Sequence, residues 1–312
     1  MNDLIAITTS DLSKYFNSTP AVSNLNVTVS RGELYGLVGP DGAGKTTTMR
    51  MLAGIMEPSS GDAVVAGFSV RSAPEGVKER IGYMSQRFGL YEDLTVMENM
   101  LFYADLYEVP KSERPSRIER LLGFSNLGPF QKRLAGALSG GMKQKLGLAC
   151  ALIHTPEVLI LDEPTNGVDP VSRRDFWKIL YDLLRQGVAV LVSTSYLDEA
   201  ERCTRIGLMH KGKIIIEDDP QKVRRSLGIT MIEIWPDQVK KAREVAGAMP
   251  EVTRIGMYGD RLHIGLASGS SASAVFDGLE REDIRVKDHR EILPSLEDVF
   301  IAMVEGTEGH GS

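Results

Sequence analysis

This 312-residue sequence has two cysteines, no long apolar run and no excess of basic over acidic residues. The two cysteines, Cys150 and Cys203, lie far apart and form no CxxC or Cys/His cluster, so the pattern predicts packing thiols in a reducing compartment. No window holds the eighteen or so apolar residues of a spanning helix, and the first residues lack a basic segment followed by an apolar core. Any membrane role is therefore expected to come through partners.

The charge balance argues against a dedicated nucleic-acid surface. Forty-two acidic side chains face thirty-six basic ones, for a net charge of -6, whereas nucleic-acid binding needs an excess of Lys and Arg to neutralise phosphates. Hydrophobic residues make up 42% and charged residues 25%, which is close to the average of folded globular proteins. The composition and length together predict a folded chain of two domains.

The first part of the chain, from Ile5 to about Asp219, alternates apolar strands, helical stretches and glycine-rich turns. This alternation predicts an α/β domain with a mostly parallel sheet covered by helices. The continuous apolar runs Val158–Asp162 and Val188–Ser193 are typical of strands buried on both faces. Helical spacing of apolar residues over about 87–137 predicts a helical insert.

A different pattern follows, in which Asp219 and Pro220 are typical of a helix start. The order strand, helix, strand, strand, helix, strand then predicts a small α+β domain with ferredoxin-like topology. The expected organisation is a first domain over 1–220, a second over 221–305 and a flexible tail over 306–312.

The stretch GPDGAGKTT lies between an apolar strand and a helix, which is the context that a phosphate-binding P-loop requires. Its glycines let backbone N–H groups turn toward phosphates. Lys45 is expected to reach the outer phosphates, and the Thr46 hydroxyl is expected to bind magnesium. The residues predicted to contact the phosphates are Gly39, Pro40, Asp41, Gly42, Ala43, Gly44, Lys45, Thr46 and Thr47.

Two further segments carry chemistry. Asp162 and Glu163 end an apolar strand, which fits a magnesium ligand followed by a group that activates water, although acidic pairs also cap ordinary loops. The segment Ser139–Gly141 starts a helix and reads either as a plain N-cap or as a second phosphate site. One chain cannot easily bring both phosphate sites onto one nucleotide, but a head-to-tail pair can.

The motifs GPDGAGKTT, LSGGMKQK, VLILDEPTNGVDP and STSYLDEAE, with Gln86 between the first two, resemble the ATP-binding subunits of ATP-binding-cassette (ABC) transporters. The resemblance covers residues 4 to about 220, and the C-terminal part is similar to the accessory domain of the drug-resistance exporters. The motif sequences are nearest to the first cassette of YbhF-type subunits, which carry two cassettes in one chain.

The resemblance implies roles residue by residue. Asp162, Thr46 and Gln86 would bind magnesium, and Glu163 would be the general base. Phe16 would stack on adenine, although Tyr15 could substitute and either side chain could simply pack. The second phosphate site would consist of Ser139, Gly140 and Gly141, and Asp169 would couple the two sites besides capping a helix.

Ser195 stands where the family usually has a histidine that contacts the γ-phosphate and positions water. A serine hydroxyl is shorter and neutral, so it cannot supply the charge stabilisation on which phosphoryl transfer depends. None of the five histidines lies near enough in sequence to replace it. We therefore expect ATP and Mg²⁺ to bind while this chain's own site turns over slowly.

The function implied is an ATPase that couples ATP to a membrane exporter, with a multidrug or other small hydrophobic substrate. Its expected partners are integral-membrane subunits and a second cassette, and its expected location is the cytoplasmic face of the inner membrane. Two alternatives stay open: a nucleotide-sensing regulatory subunit and a non-transport ABC ATPase acting on ribosomes or DNA.

Overall fold

The computed structural model describes residues 4–86, 89–267 and 269–308. It divides into two compact units, Met1–Asp219 and Pro220–Ser312. The second unit begins with the short helix that Asp219 and Pro220 predict, because proline pre-sets the backbone angle of a first helical residue.

The first unit is built on a six-stranded sheet in the order β11-β10-β4-β9-β8-β7, with β11 the antiparallel edge strand and the other pairs parallel. Every residue of β4, β8 and β9 is buried, as expected for strands covered on both faces. The strands are β4 (Leu34–Val38), β7 (Ile81–Met84), β8 (Val158–Asp162), β9 (Ala189–Thr194), β10 (Arg205–His210) and β11 (Lys213–Asp218).

Register brings the carboxyl ends of three strands together. Val38 of β4 pairs with Thr194 of β9, and Asp162 of β8 pairs with Ser193 of β9. In sheets of this kind ligands bind beyond the carboxyl ends of the strands. The segments that follow β4, β8 and β9 therefore converge on one edge, and they are the segments that carry the sequence motifs.

A second sheet of five strands is antiparallel, in the order β2-β1-β5-β6 with β3 also paired to β1. Its inward residues, among them Ile7 and Leu12, share one apolar core with Leu37 and Ile160 of the parallel sheet. Its strands are β1 (Ile5–Phe16), β2 (Thr19–Leu25), β3 (Thr28–Ser30), β5 (Ser60–Val65) and β6 (Phe68–Ser69).

Seven helices are described in the first unit, and two of them occupy the predicted insert. Thr95 and Glu98 form a reciprocal capping box at the start of the first insert helix. Residues 87 and 88, where the predicted insert begins, lie outside the described residues. The helices are α1 (Lys45–Leu52), α2 (Pro74–Arg80), α3 (Val96–Leu106), α4 (Arg114–Ser125), α5 (Gly140–Ala151), α6 (Pro170–Arg185) and α7 (Leu197–Ala200), with 3-10 turns at Gly128–Phe130 and Ala135–Ala137.

The second unit has a four-stranded antiparallel sheet in the order β13-β14-β12-β15. Apolar residues of the sheet, such as Ile232 and Ile264, form a core with Ala242 and Val275 of two helices. The chain order is the split strand-helix pattern that the sequence predicts. The elements are α8 (Pro220–Arg225), β12 (Met231–Pro236), α9 (Val239–Gly247), β13 (Val252–Tyr258), β14 (Arg261–Leu266), α10 (Ala272–Arg281), β15 (Val286–Ile292) and α11 (Leu296–Glu308).

A buried carboxylate lies in this sheet. Glu233 of β12 is 2% exposed and accepts hydrogen bonds from Arg261 at 2.9 Å, His263 at 3.0 Å and Arg290 at 2.5 Å. Burial raises the pKa of Glu233, but the hydrogen bonds from His263 and Arg290 outweigh this effect and the pKa is lowered. The two guanidinium groups also lie 5.8 and 5.5 Å from the ring of Trp235.

Helix α11 continues to Glu308 and so includes the first three residues of the tail predicted over 306–312, whose flexibility stays a prediction. A glycine inside a helix costs about 1 kcal/mol, which is small enough for a helix to continue past Gly306. Residues 309–312 lie outside the described residues. In the described part of the chain, none of the helices combines the length and apolar character that a membrane crossing requires.

Candidate functional site

The P-loop wraps around the amine of Lys45 at the start of α1. The Nζ atom of Lys45 donates to the carbonyl oxygens of Gly39 at 2.7 Å and Pro40 at 3.0 Å. Gly44 has φ of 109°, and a side chain there would lie 2.4 Å from the Ala21 carbonyl oxygen, so only glycine fits. The tight turn thus places the lysine under the loop.

Glu163 connects the P-loop to two other segments. Its Oε1 atom lies 3.3 Å from Nζ of Lys45, and its Oε2 atom accepts from Nε2 of Gln86 at 3.0 Å. Glu163 itself has φ of 48°, a left-handed conformation that costs a residue with a side chain about 1–3 kcal/mol. Such strain is typical of functional positions, and the carboxylate is held beside the loop in spite of it.

Asp162 lies directly below, at the end of β8. Its Oδ1 atom accepts from the Thr46 hydroxyl at 3.2 Å and from the Ser193 hydroxyl at 2.6 Å. Ser193 also accepts from the backbone N–H of Glu163 at 3.0 Å. One hydroxyl, which the sequence did not single out, therefore fixes both acidic residues at the strand end.

These groups surround a cavity of about 370 Å³. Its wall brings together six residues predicted from the P-loop with Gln86 and Glu163, which supports the prediction that these segments form one site. The lining residues are Ala21, Asp41, Gly42, Gly44, Lys45, Thr46, Thr47, Gln86 and Glu163.

The oxygen donors at this cavity fit magnesium. The Thr46 hydroxyl and the Asp162 carboxylate are hard oxygen ligands 3.2 Å apart, and magnesium is usually held by one or two such groups together with phosphate oxygens and water. Gln86 donates its amide nitrogen to Glu163 and keeps an amide oxygen as a possible ligand. Within the described residues there is no cluster of three or more His, Cys, Asp or Glu that could hold a metal unaided, so phosphate would have to complete this site.

Ser195 lies in an exposed bend immediately after β9. The next residue reaches the site instead. The hydroxyl of Tyr196 donates to Oδ1 of Asn166 at 3.3 Å, and Nδ2 of Asn166 donates to Oε2 of Glu163 at 3.4 Å. Sequence reasoning missed both residues; their nearness in sequence to Ser195 and Glu163 was the available signal.

The segment Ser139–Gly141 starts α5, and the Ser139 hydroxyl caps it by accepting from the Met142 N–H at 3.3 Å. Ser139 and Gly140 are exposed. Among the described residues that line the cavity, no member of this segment occurs. The N-cap interpretation therefore holds within one chain, while the interpretation as a second phosphate site stays a prediction.

Asp169 caps α6 and lies beside the same segment. Its carboxylate accepts from the backbone N–H groups of Ser172 at 2.9 Å and Val171 at 3.1 Å, and the Ser172 contact lowers the pKa of Asp169. A side chain at Gly141 would lie 2.4 Å from the Ser172 hydroxyl. Glycine thus permits the two helix starts to pack closely, while the coupling role of Asp169 stays a prediction.

Phe16 ends β1 and is 48% exposed, and Tyr15 beside it is 42% exposed. The ammonium of Lys14 lies 5.7 Å from the Phe16 ring centroid. Neither ring belongs to the wall of the phosphate cavity. An exposed ring at the end of an antiparallel strand is available for stacking on a base, and that role stays a prediction.

His154 does not replace the missing histidine; it lies after α5 and stacks on Tyr107 with ring centroids 3.9 Å apart. Its Nε2–H donates to the Ile81 carbonyl at 2.9 Å, and its buried Nδ1 has no hydrogen-bond partner among the described residues. Burial lowers the pKa of His154 to about 4, although the Ile81 contact acts in the other direction. Protonation would place an N–H without an acceptor in the interior.

We therefore expect His154 to make unfolding easier in acid. Its pKa is lower folded than unfolded, so the unfolded chain binds more protons between about pH 6.5 and 4, and stability falls by up to about 3 kcal/mol as the pH drops through that range. Denaturant unfolding at both ends of the range measures the loss. In His154→Gln, which keeps a donor for Ile81 and does not titrate, the loss should shrink; an unchanged pH dependence would contradict the assignment.

The two thiols agree with the prediction of packing roles. Both cysteines are free and buried. Burial raises the pKa of Cys203 to about 12, and it raises that of Cys150 even further. Thiols that resist ionisation are poor nucleophiles and metal ligands.

Comparison with known proteins agrees with this geometry. A family model described as ABC transporter matches residues 22–166, and one described as the C-terminal domain of DrrA1-3-like ATP-binding proteins matches residues 219–304. A solved ATP-binding subunit of an ABC transporter is similar with a TM-score of 0.66 and 30% identity, over 72% of this chain and 93% of that one.

Two curated relatives have names that state a function. The probable multidrug ABC transporter ATP-binding protein YbhF of Escherichia coli K12 is 44% identical over 98% of this chain, which spans only 53% of that relative. The daunorubicin/doxorubicin resistance ATP-binding protein DrrA of Streptomyces peucetius is 33% identical over 96% of this chain and 92% of its own length. These relatives do not favour the regulatory or the non-transport alternatives.

Proposed function

This chain belongs to the ABC transporter ATP-binding proteins of the DrrA and YbhF type, and from that premise we propose that it is the energy-coupling subunit of a membrane exporter. It binds ATP, and its closure on a second cassette transmits force to integral-membrane partners. Closure of this kind is a population shift that ATP drives by binding the closed state better.

One observation carries the proposal: the P-loop and the acidic strand end meet across a single cavity. Lys45 contacts Glu163, and Thr46 contacts Asp162, although more than a hundred residues separate the two segments. A triphosphate needs a cation, backbone donors and metal-binding oxygens in one place, and a water beside it needs a base. These residues supply each of those groups.

Magnesium would be held by Thr46 and Asp162, with the amide oxygen of Gln86 as a further ligand. When bound, it neutralises charge on the phosphate oxygens. Lys45 binds the outer phosphates, and Glu163 accepts a proton from water. Lys45 contacts Glu163 in this structure. Phosphate must therefore replace Glu163 as the partner of Lys45 before the carboxylate can serve as a base.

We propose that this chain's own site hydrolyses ATP slowly. Ser195 lies in an exposed bend and offers a short, neutral hydroxyl where the family usually has an imidazole. Phosphoryl transfer is accelerated chiefly by positioning and by electrostatic stabilisation of the transferring group. Binding, which depends on Lys45 and the loop N–H groups, is left intact.

A second cassette follows from the same site. The exposed start of α5 offers a hydroxyl, free backbone N–H groups and the positive end of a helix to a phosphate that this chain does not hold. A head-to-tail partner would present its own nucleotide there. The preferred partner is a different cassette that carries the histidine, and a second copy of this chain is the alternative.

The remaining elements of the proposal rest on the relatives. A multidrug or other small hydrophobic substrate accords with the names of YbhF, a probable multidrug transporter protein, and DrrA, a daunorubicin/doxorubicin resistance protein. Outward transport and a place on the cytoplasmic face of the inner membrane belong to the same proposal. The insert helices α3 and α4 would carry motion to the membrane subunits.

Isolation from detergent-solubilised membranes through a tag on this chain tests the proposal. We expect an integral-membrane protein and a cassette to be recovered together with magnesium-dependent ATP hydrolysis. A matched preparation of the tagged Lys45→Met chain should recover the same proteins, with ATP binding by this subunit weakened about 100-fold. Recovery of the tagged chain alone, with no ATP bound, would overturn the proposal.

A further inference from the structure

The loop that contains Ser195 reaches the site through its neighbour. Tyr196 donates to Asn166, and Asn166 donates to the same oxygen of Glu163 that accepts from Gln86. The two links measure 3.3 and 3.4 Å, long but within hydrogen-bond reach, and such contacts commonly shorten once substrate is bound. Oε2 of Glu163 is thus held from two sides by neutral donors.

Contacts with two other residues fix the position of Tyr196. The guanidinium of Arg173 lies 5.0 Å from the ring centroid, and its Nε atom lies 3.3 Å from Oε1 of Glu199. The Tyr196 backbone N–H donates to the Thr194 hydroxyl at 3.0 Å. The phenol therefore enters the network from an anchored position at the start of α7.

Glu199 anchors this arrangement in the interior. It is fully buried and accepts from the Thr165 hydroxyl at 2.5 Å and from the Thr194 hydroxyl at 3.1 Å. One carboxylate therefore ties the end of β9 to the loop after β8. Tyr196 and Asn166 are carried by two segments whose separation this contact fixes.

We propose that Tyr196, acting through Asn166, is a positioning residue for Glu163 and sustains the residual hydrolysis of this chain's own site in the absence of a histidine. The inference rests on the proposed function. Donors to Oε2 fix the orientation of the carboxylate, so that once phosphate binds Lys45, the Oε1 atom that now faces the lysine is left in place for water. The side chain of Tyr196 itself touches neither the cavity wall nor Lys45 among its described contacts.

The test measures ATP hydrolysis by the isolated complex and takes the rate lost in Glu163→Gln as the contribution of this site. Tyr196→Phe keeps the ring over Arg173 but removes the hydroxyl. We expect it to lower the Glu163-dependent kcat about 5- to 10-fold, the effect of one hydrogen bond, and to leave KM for ATP unchanged. Tyr181→Phe, which removes a hydroxyl that donates to the Arg202 carbonyl at 3.3 Å, is the matched control.

A double-variant cycle separates positioning from general damage. If Tyr196 acts through Asn166, Asn166→Ala should reduce the same rate, and Asn166→Ala with Tyr196→Phe should be no slower than Asn166→Ala alone. Additive losses, equal losses in Tyr181→Phe, or a rise in KM would overturn the inference. A Glu163-dependent rate of zero in the wild type would also overturn it, yet it would leave ATP binding and the proposed function standing.

Discussion

In the complex isolated from membranes through this chain, Glu163→Gln leaves most ATP hydrolysis, whereas Ser139→Arg lowers it about 100-fold. The first change disables a site that Ser195 already makes slow. The second places a long cationic side chain at the exposed start of α5, where a partner's nucleotide must bind. Steady-state phosphate release by the two variant complexes, at equal amounts of assembled complex, measures the contrast.

Matched changes away from both sites control for damage. Glu157→Gln removes a carboxylate that pairs with Arg31 and Arg80, and Ser72→Arg adds an arginine to an exposed turn just before α2. Both should keep the wild-type rate within about twofold, as surface substitutions usually do. If Glu163→Gln abolishes hydrolysis as completely as Ser139→Arg does, this chain's own site is catalytic and the asymmetric pair is wrong.

Lys45→Met weakens ATP binding by this chain about 100-fold, because a charged donor to phosphate contributes roughly 3 kcal/mol. Methionine fills the buried space of the 4%-exposed lysine without its charge. The measurement is equilibrium titration of the purified chain with a fluorescent ATP analogue in the presence of magnesium. Without magnesium, the wild-type chain should bind the analogue more weakly, and the variant should lose little further affinity for it.

Lys145→Met is the control for loss of a buried, paired lysine. Lys145 is 9% exposed and lies 3.3 Å from Asp175, the same distance that separates Lys45 from Glu163. This variant should lose stability without losing ATP affinity. Equal affinity in Lys45→Met and the wild type would mean that the nucleotide does not use this loop.

The sequence was sufficient to predict strands that are buried on both faces. Val158–Asp162 is apolar through its first four residues, so its burial on both faces and its strand type could be read directly. The next strand was displaced by one residue, because Val188 and Thr194 at its ends satisfy the same pattern.

The sequence predicted the site residues that belong to one continuous motif. It did not predict the hydrogen bonds that join side chains from different segments. The P-loop and the strand end have fixed spacing, and the cavity unites them. The contacts of Ser193 with Asp162 and of Tyr196 with Asn166 each join residues about thirty positions apart. No local periodicity encodes such a pair, and only the register of neighbouring strands brings it together.

Each compact unit contains one of the two tryptophans, and their surroundings differ. Trp177 is 1% exposed in the first unit, whereas Trp235 is half-buried between two guanidinium groups in the second. The chain therefore carries a built-in pair of optical probes, because an indole shielded from water emits at shorter wavelength than one that is partly exposed to it. Unfolding of the two units can be followed separately in one cuvette, without attaching any label.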